Sequence, residues 1–477
     1  MKRQDGYLTV YLTLCITLIL SLYLVLIDGA RRSGAGLEAA CAAEAGLQSI
    51  MAEYHRELFR QYNLFAVDSS YGTSVCGRKN TEAHLMEYIK ENLNTEEIFL
   101  SDYLYRDFFG LKADDVELTD ISILTDGRGA VFRARAIEAV RDDVGLHLLE
   151  ELEEWMQVIE VNGLDTFAPE EEKREADEKI EEFNGKEIQI SEEESICVEI
   201  VNPTNEIESK RRTGILNLVT DKELSNRVIK TDNLVESRMK QGNISRGNMA
   251  LPECEDMVSR FLFQEYLLRY MGCFGNEQEE DALKYQMEYL IVGESGDVDN
   301  LKIVVNRISI IREAANAMYL LTDKEKWLEI QGAAALACGI FALPELIPLV
   351  ETAILLGWAY AESVYDVKTL LAGGKVPLLK DRDSWHYSLQ AALSGELNDG
   401  GEEGKGLSYL DYLRIFMTLT DLDLLTVRAM NMVEADIRQT AGNSLFRLDA
   451  CYDGFQATID ISSSFGYKYE LNRKRVY

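Results

Sequence analysis

The chain has 477 residues, of which 47% are hydrophobic and 27% charged, a composition typical of a globular protein rather than a disordered one. Its 82 acidic and 49 basic side chains give a formal net charge of −33, which excludes nucleic acid as a ligand and disfavours anionic lipid as a ligand of the main domain. Only six prolines occur, none before Pro169, so we expect helices to dominate.

Residues 7–27, YLTVYLTLCITLILSLYLVLI, carry no charged side chain. At about 1.5 Å per residue, a helix of this length spans the roughly 30 Å hydrocarbon core of a bilayer. We therefore predict a single transmembrane helix in contact with membrane lipid, with residues 1–6 as a short cytoplasmic leader and the main domain extracellular. A cleaved signal peptide is the alternative, but the apolar run exceeds the usual ~7–15 residues and no small-x-small site follows it directly.

The helical pattern continues beyond the apolar segment, and residues 28–62 are predicted to form an amphipathic helical stalk that ends near Tyr62. The apolar positions at helical spacing are Leu47, Ile50, Met51, Tyr54 and Leu58. Many small side chains precede them: Gly29, Ala30, Gly34, Ala35, Gly36, Ala39, Ala40, Ala42, Ala43 and Ala45. Such a stretch either lets another helix approach closely or forms a simple stalk.

A mixed α/β region is predicted at residues 63–165. NLFAVDSSYG predicts a short strand that ends in a turn, Thr81–Leu93 a helix, Val116–Gly127 an alternating strand and Arg128–Ile159 a helix. Residues 166–195 are predicted to be an acidic linker or excursion, because PEEEKREADEKIEEFN has few apolar residues and suits a solvated helix or a flexible segment.

Residues 196–442 are predicted to be mainly helical, with helices at NLKIVVNRISIIREAANAMYLL, Leu407–Thr418 and Leu424–Gln439. The apolar stretch Gly332–Ala361 contains prolines and carboxylates near its middle, which disfavours a second membrane span. We predict a helical hairpin that is buried in the core and aligned with the first of these helices. Peripheral contact with a membrane is the alternative.

Residues 443–477 are predicted to form C-terminal β strands. Three runs alternate between apolar and polar side chains: Phe446 to Tyr452, Phe455 to Ile461, and Phe465 to Leu471. Asp453 and Gly454 divide the first two runs and predict a hairpin turn. The predicted fold class is therefore helix-rich α+β, with a single N-terminal transmembrane helix continuing into a long amphipathic helix, a mixed α/β ectodomain and C-terminal antiparallel strands.

The sequence predicts no catalytic, cofactor-binding or metal-binding residues. The histidines, His55, His84, His147 and His386, are far apart, and neither an HExxH nor a GxSxG motif occurs. The eight cysteines form no CxxC pair, so most are expected to be small core residues with at most one or two disulfides.

Two short segments partly match known binding motifs, but we assign each of them a structural role. The GGK at residues 373–375 lacks the upstream glycine and the following Ser or Thr of a phosphate loop, and predicts the C-cap of a helix. Asp460, Ser462 and Ser464 fit the DxSxS spacing by which von Willebrand factor A domains hold a cation. The residues that follow predict a strand, where these three positions would face outward.

Long stretches of the chain resemble a family encoded in Gram-positive bacteria near genes for tight-adherence (Flp-type) pili. The matching stretches are GYLTVYLTL with LVLIDGAR, AEYHRELFRQYNLFAVDSSYG, RRTGILNLVT, NLKIVVNRISIIREAANAMYLL, WAYAESVYDVKTLLAGGKVPLLK, GLSYLDYLRIFM and FGYKYELNRKRVY. The N-terminus is also similar to the pilin-like TadE and TadG proteins. Processed pilins are cut after a Gly and carry Glu at the fifth mature position, but counting from Gly6 that position is Tyr11, which favours a retained, TadG-like anchor.

The resemblance implies a non-enzymatic, membrane-anchored component of a tight-adherence type pilus or a related secretion apparatus. Its expected partners are proteins of that apparatus, contacted through the stalk at residues 28–62, and no cofactor is expected. The alternative function is a surface-anchored hydrolase with an unrecognised carboxylate site, for which the abundance of acidic residues is the support.

Overall fold

The computed structural model describes residues 5–93, 109–143, 145, 147–189, 195–197, 202–339, 346–397, 400–401 and 404–477. Its helices are α1 (Asp5–Ala52), α2 (Arg56–Tyr62), α3 (Arg78–Leu93), α4 (Asp126–Val140), α5 (His147–Val161), α6 (Pro169–Phe183), α7 (Asn205–Arg212), α8 (Ile215–Val219), α9 (Val235–Lys240), α10 (Met257–Tyr270), α11 (Gln286–Val292), α12 (Asp297–Thr322), α13 (Lys324–Cys338), α14 (Ile347–Leu371), α15 (Leu389–Ser394), α16 (Tyr409–Leu419) and α17 (Leu422–Gln439). Its strands are β1 (Val67–Asp68), β2 (Leu111–Ile123), β3 (Glu187–Gln189), β4 (Ser195–Cys197), β5 (Cys451–Ser463) and β6 (Lys468–Val476).

The chain forms two compact units. Unit 1 consists of Met1–Ala139, Leu234–Cys254 and Ile437–Tyr477, and unit 2 of Val140–Asn233 and Glu255–Asp436. Each unit is assembled from separate stretches of the chain. The helix-rich α+β class, with antiparallel strands at the C-terminus, is confirmed.

Unit 1 is organised around the long strand β5. β2 pairs antiparallel with it along one edge, from Leu111↔Ser463 to Ile123↔Tyr452. β1 and β6 follow one another along the opposite edge, and β6 pairs antiparallel from Gly454↔Val476 to Ser462↔Lys468. Alternate side chains of β5, the predicted apolar run from Phe455 to Ile461, are buried in the core.

The second half of α1 lies on this sheet and forms its core together with α3. Ala39, Ala43, Leu47 and Ile50 are fully buried against α3 and the strands. Gly46 lies so close to α3 that a Cβ there would be 2.8 Å from Cγ1 of Ile89. The small side chains therefore permit close packing within unit 1, and the simple-stalk interpretation is wrong for this part of the helix.

The long helix ends earlier than predicted. α1 stops at Ala52, and the backbone of Tyr54 forms an antiparallel bridge with Val67. His55 then caps the separate helix α2, because its Nδ1 accepts a hydrogen bond from the Leu58 amide at 3.2 Å. The sheet edge competes with the helix for the backbone of these residues, which helical periodicity alone could not show.

The predicted hairpin at Asp453–Gly454 is also wrong. Both residues lie inside β5, and the chain turns instead after Ser463 and before β6. Gly454 is required by close packing rather than by a turn, since a Cβ there would be 2.7 Å from the carbonyl oxygen of Arg475. Asp453 is buried in the strand and pairs with Arg135.

Unit 2 is a helical assembly around α12 and α14, which pack side by side. The predicted helices at residues 407–418 and 424–439 are confirmed as α16 and α17. The stretch predicted as a helical hairpin contains α13 and α14, which pack against each other and against α12; residues 340–345 between them lie outside the described part. α14 is buried as predicted, but α13 is not, because Leu328 and Leu336 are 66% and 84% exposed.

Two further segments agree with their predictions only in part. The single helix expected over residues 128–159 is two helices, α4 and α5, of which the first ends at Val140 and the second begins at His147. The acidic segment, expected as a linker or excursion that is either a solvated helix or flexible, contains the helix α6. This helix is not solvated on all sides, since it packs against α14 with Lys173, Ala176 and Ile180 buried. Ala176 and Ile180 form a narrow apolar stripe on this otherwise charged helix, and the stripe packs against unit 2.

Candidate functional site

Unit 2 contains a cleft of about 760 Å³ lined by residues of α6, α7, α8, α12 and α14. Arg211, in the last turn of α7, occupies one wall. The carbon of its guanidinium lies 4.1 Å from the centroid of the Tyr360 ring, a cation–π contact, and its Nη2 donates a hydrogen bond to Glu313. Glu313 is 2% exposed and comes from the middle of α12.

Burial and the attraction between the two charges act in opposite directions in this ion pair. Burial raises the pKa of Glu313 above its usual value, although the guanidinium of Arg211 acts in the opposite direction. Burial lowers the pKa of Arg211, but the Glu313 carboxylate outweighs it and holds that pKa above its usual value.

The rim of the cleft carries both signs of charge. The exposed charged residues that line it are Glu170, Glu294, Asp299, Lys302 and Arg307. Among the described residues of the lining, Glu313 is the one buried carboxyl, and it is bound by Arg211. The interior of the cleft therefore presents one carboxyl group that is already paired, and its other carboxyl groups are those of the exposed rim.

A second cluster of charges is buried between α12, α14 and the loop that follows α14. Arg312 Nε lies 3.0 Å from Asp366 Oδ2, and Lys380 Nζ lies 2.6 Å from Asp366 Oδ1. Lys380 also pairs with Glu362, which accepts hydrogen bonds from the backbone amides of residues 386 and 387 at 2.8 and 2.9 Å. Because these charges are removed from water, each depends on its partners, and the cluster holds the loop against the helices.

Sequence reasoning did not identify either charged group. A signal was available: Arg312 and Glu313 lie between the apolar residues Ile310, Ile311 and Ala314 of α12, and Glu362 and Asp366 recur one turn apart in the apolar helix α14. Their pairing joins residues 18 to 102 positions apart, and no local pattern predicts such a pairing.

In unit 1 the feature of functional interest is α1. Residues 6–52 form a helix long and apolar enough to cross a membrane, and the apolar window is fully exposed. From Ala35 onward the same helix is buried on one face in the core of unit 1. The single candidate span predicted from the sequence is thus present among the described residues.

The other residues singled out in the sequence are placed as follows. His55 caps α2, His84 stacks on Tyr71, His386 stacks on Tyr365, and His147 begins α5. Asp460 and Ser462 lie on β5 as predicted, but Ser464 lies in the turn after it, because the chain reverses there and β6 begins only at Lys468. Gly373 follows the end of α14 with φ of 95°. Of the seven cysteines whose side chains are described, Cys273, Cys338 and Cys451 are buried and all seven are free thiols, so fewer are core residues than predicted.

Comparison with known proteins identifies one family. Residues 192–463, more than half of the chain, match a family of unknown function (DUF5702). The chain belongs to this family. No curated protein and no solved structure matches the chain. The DUF5702 region contains Arg211, Glu313 and the buried charge cluster, whereas α1 lies outside it. The relationship to tight-adherence pili therefore stays a prediction.

We expect Asp366→Asn to lower the free energy of unfolding by about 3–5 kcal/mol, because it leaves Arg312 and Lys380 buried without their shared carboxylate. Urea denaturation measures the change. The control is Arg382→Gln, which removes an ion pair whose side chains are 75% and 68% exposed and should change stability by less than about 1 kcal/mol. Equal effects of the two variants would show that the cluster does not stabilise unit 2.

A buried carboxyl in α11 makes stability depend on pH. Glu288 is fully buried and accepts hydrogen bonds from the Tyr409 hydroxyl at 2.6 Å and the Phe274 amide at 2.9 Å. Burial raises its pKa from 4.5 to about 7, so its protonated form stabilises the fold at low pH, and this stability is lost as the pH rises through about 7.

Glu288→Gln should therefore match the wild type near pH 4 and be more stable by about 3 kcal/mol at pH 8, since the amide stays neutral. Thermal or urea unfolding across this pH range checks the difference. A stability gap between the two proteins that does not change with pH would contradict the raised pKa.

Proposed function

We propose that this protein is a single-pass, membrane-anchored, non-enzymatic component of an envelope-associated assembly, of the tight-adherence pilus type or a related secretion apparatus. The observation that carries the proposal is the continuity of α1. One helix without a break contains both the exposed apolar segment and the core helix of unit 1.

The exposed segment supports anchoring by its energetics. Residues 7–27 present large apolar side chains on all sides, and most of them are more than half exposed. Leaving this surface in water would cost about 25 cal/mol for each Å² of apolar area, and transfer to lipid removes that cost. Beyond the first turn of α1, the backbone groups of this stretch pair within the helix, as a membrane span requires.

Continuity also supports retention of the segment and a structural role. The helix continues through residues 28–34, and Asp28 and Arg32 already contact the folded unit, so a leader cleaved here would be cut from within a hydrogen-bonded helix. No linker separates the span from unit 1, so a displacement of the span is transmitted directly to the folded unit. That property suits a component of a mechanical assembly.

Orientation and partners complete the proposal. The proposed orientation places the N-terminus in the cytoplasm and the main domain outside the cell. The inner face of the stalk is buried in unit 1, so partner proteins would contact its outer face, where Leu37 is 68% exposed.

The alternative function, a surface-anchored hydrolase, stays a prediction. The cleft of unit 2 does not favour it, because the described lining of that cleft provides one buried carboxyl group.

Removal of residues 1–27 should release unit 1 and unit 2 from the membrane in folded form, because the buried part of α1 begins at Ala35. The matched control, removal of residues 1–52, also takes away Ala39, Ala43, Leu47 and Ile50 and should leave unit 1 unfolded. Carbonate extraction and circular dichroism measure the two effects. A shortened chain beginning at Asp28 that stays in the carbonate-resistant fraction would contradict a single anchor.

Membership of a pilus assembly is tested by crosslinking in intact cells, followed by capture of the tagged full chain and mass spectrometry. We expect pilus-assembly proteins in the captured material. The control is an unrelated extracellular domain fused to residues 1–27, which shares the membrane but not the two units. Recovery of no assembly protein beyond this control would rule out the pilus role and leave the anchor intact.

A further inference from the structure

The turn between β5 and β6 is attached to α1 at the end of the apolar segment. The hydroxyl of Tyr467 donates a hydrogen bond to the Asp28 carboxylate, and that of Tyr469 donates to the Arg32 carbonyl at 2.8 Å. The guanidinium carbon of Arg31 lies 4.1 Å from the centroid of the Phe465 ring. We refer to residues 463–469 as the tip. These three contacts fix the height of the tip along the helix.

That height coincides with the headgroup layer of a bilayer whose hydrocarbon core contains residues 7–27. Asp28 and Arg32 are the first and fifth residues beyond Ile27, so they lie about 1.5 and 7.5 Å above the edge of the hydrocarbon core if the helix is upright. The headgroup layer on each side is about 5–7 Å thick, and a tilt of the helix only lowers these positions. The tip, which contacts Asp28, Arg31 and Arg32, must therefore lie in or directly on this layer.

The chemistry of the tip matches this location. Phe465 is 47% exposed, although large apolar side chains are usually buried, and two tyrosines stand beside it. Amphipathic aromatic rings concentrate at the level of lipid headgroups, where an apolar body and a polar end are both satisfied.

The tip and the adjoining residues of α1 and β6 carry a charge opposite in sign to that of the protein. Arg31, Arg32 and Lys468 outnumber Asp28 and Glu470 there, in a chain with a net charge of −33. Asp28, the carboxylate closest to the hydrocarbon, accepts the hydrogen bond of Tyr467 and so has a partner where water is scarce. The repulsion of anionic lipid expected for the main domain as a whole does not apply to this local surface, because screening confines it to about 10 Å.

We propose that the tip docks into the headgroup layer of the membrane that α1 crosses, with phospholipid as its ligand. This rests on the proposed anchoring function. The Phe465 ring enters the boundary between headgroups and acyl chains, while Arg31 and Lys468 bind headgroup phosphates. Unit 1 is then attached to the bilayer at two points, the span and the tip, and its orientation relative to the membrane is fixed.

The test uses the full chain in vesicles of phosphatidylethanolamine and phosphatidylglycerol, with the photoreactive residue benzoylphenylalanine introduced at one position at a time. The positions are Phe465 in the tip, Leu24 in the span and Val476 at the other end of β6, which are 47%, 58% and 40% exposed. Val476 lies eight residues beyond Lys468, about 26 Å along the strand, and is the matched control. Lipid adducts are identified by mass spectrometry after illumination, and circular dichroism confirms that each variant is folded.

We expect lipid adducts at Leu24 and at Phe465 and none at Val476. Adducts at Leu24 alone would overturn the docking of the tip and leave the anchor standing. Absence of adducts at Leu24 would remove the anchor itself and the inference with it. Equal labelling at Phe465 and Val476 would show general adhesion of unit 1 to lipid and would also overturn a defined docking site.

Discussion

Helix α1 is continuous, but its first half is apolar on every side and its second half is packed in the core of unit 1. The arrangement of the rest of unit 1 depends on this continuity. Up to Ile27 its side chains are apolar on every side, and exposure of such a surface to water is energetically unfavourable. From Ala35 onward it is an amphipathic helix rich in alanine, and its inner face is buried beneath the sheet. No flexible joint separates the two halves, so the position of the span dictates the position of the sheet.

Small side chains make this arrangement possible. Gly36 lies against the ring of Tyr469 and Gly46 against Ile89, at distances that leave no room for a larger residue without a shift. The close approach brings β6 and the turn before it alongside the first turns of α1 beyond the apolar segment. The same packing that stabilises unit 1 therefore determines which residues of the strand are nearest to the proposed membrane.

Unit 2 is stabilised in a different way, through charges taken out of water. Arg312, Glu362 and Asp366 are fully buried and satisfy one another together with Lys380, while Glu313 turns to the cleft and binds Arg211. Such clusters add less stability than an equally packed apolar core, but they penalise every arrangement in which a charge loses its partner. The loop after α14 is held in one position for this reason. The acidic side chains of the chain thus fall into two groups. Most are solvated at the surface, and a few are buried and paired with defined partners.

The sequence by itself determined the elements whose side chains repeat with a regular period. The helices α12, α16 and α17 and the alternation from Phe455 to Ile461 were predictable, because burial on one face imposes a period on the chain. The apolar run of α1 has no such period and was predictable from its length and its lack of charge. The tertiary structure decided where those elements stop and which residues meet. Asp453 and Gly454 remain in a strand because β2 and β6 pair with both edges of β5 and Arg135 binds the carboxylate. α1 ends at Ala52 because β1 takes the backbone of Tyr54, and Arg312 meets Asp366 because two helices far apart in sequence pack together. A local sequence pattern carries no information about which distant residues will pack or pair with it. These features therefore could not be predicted from the sequence pattern.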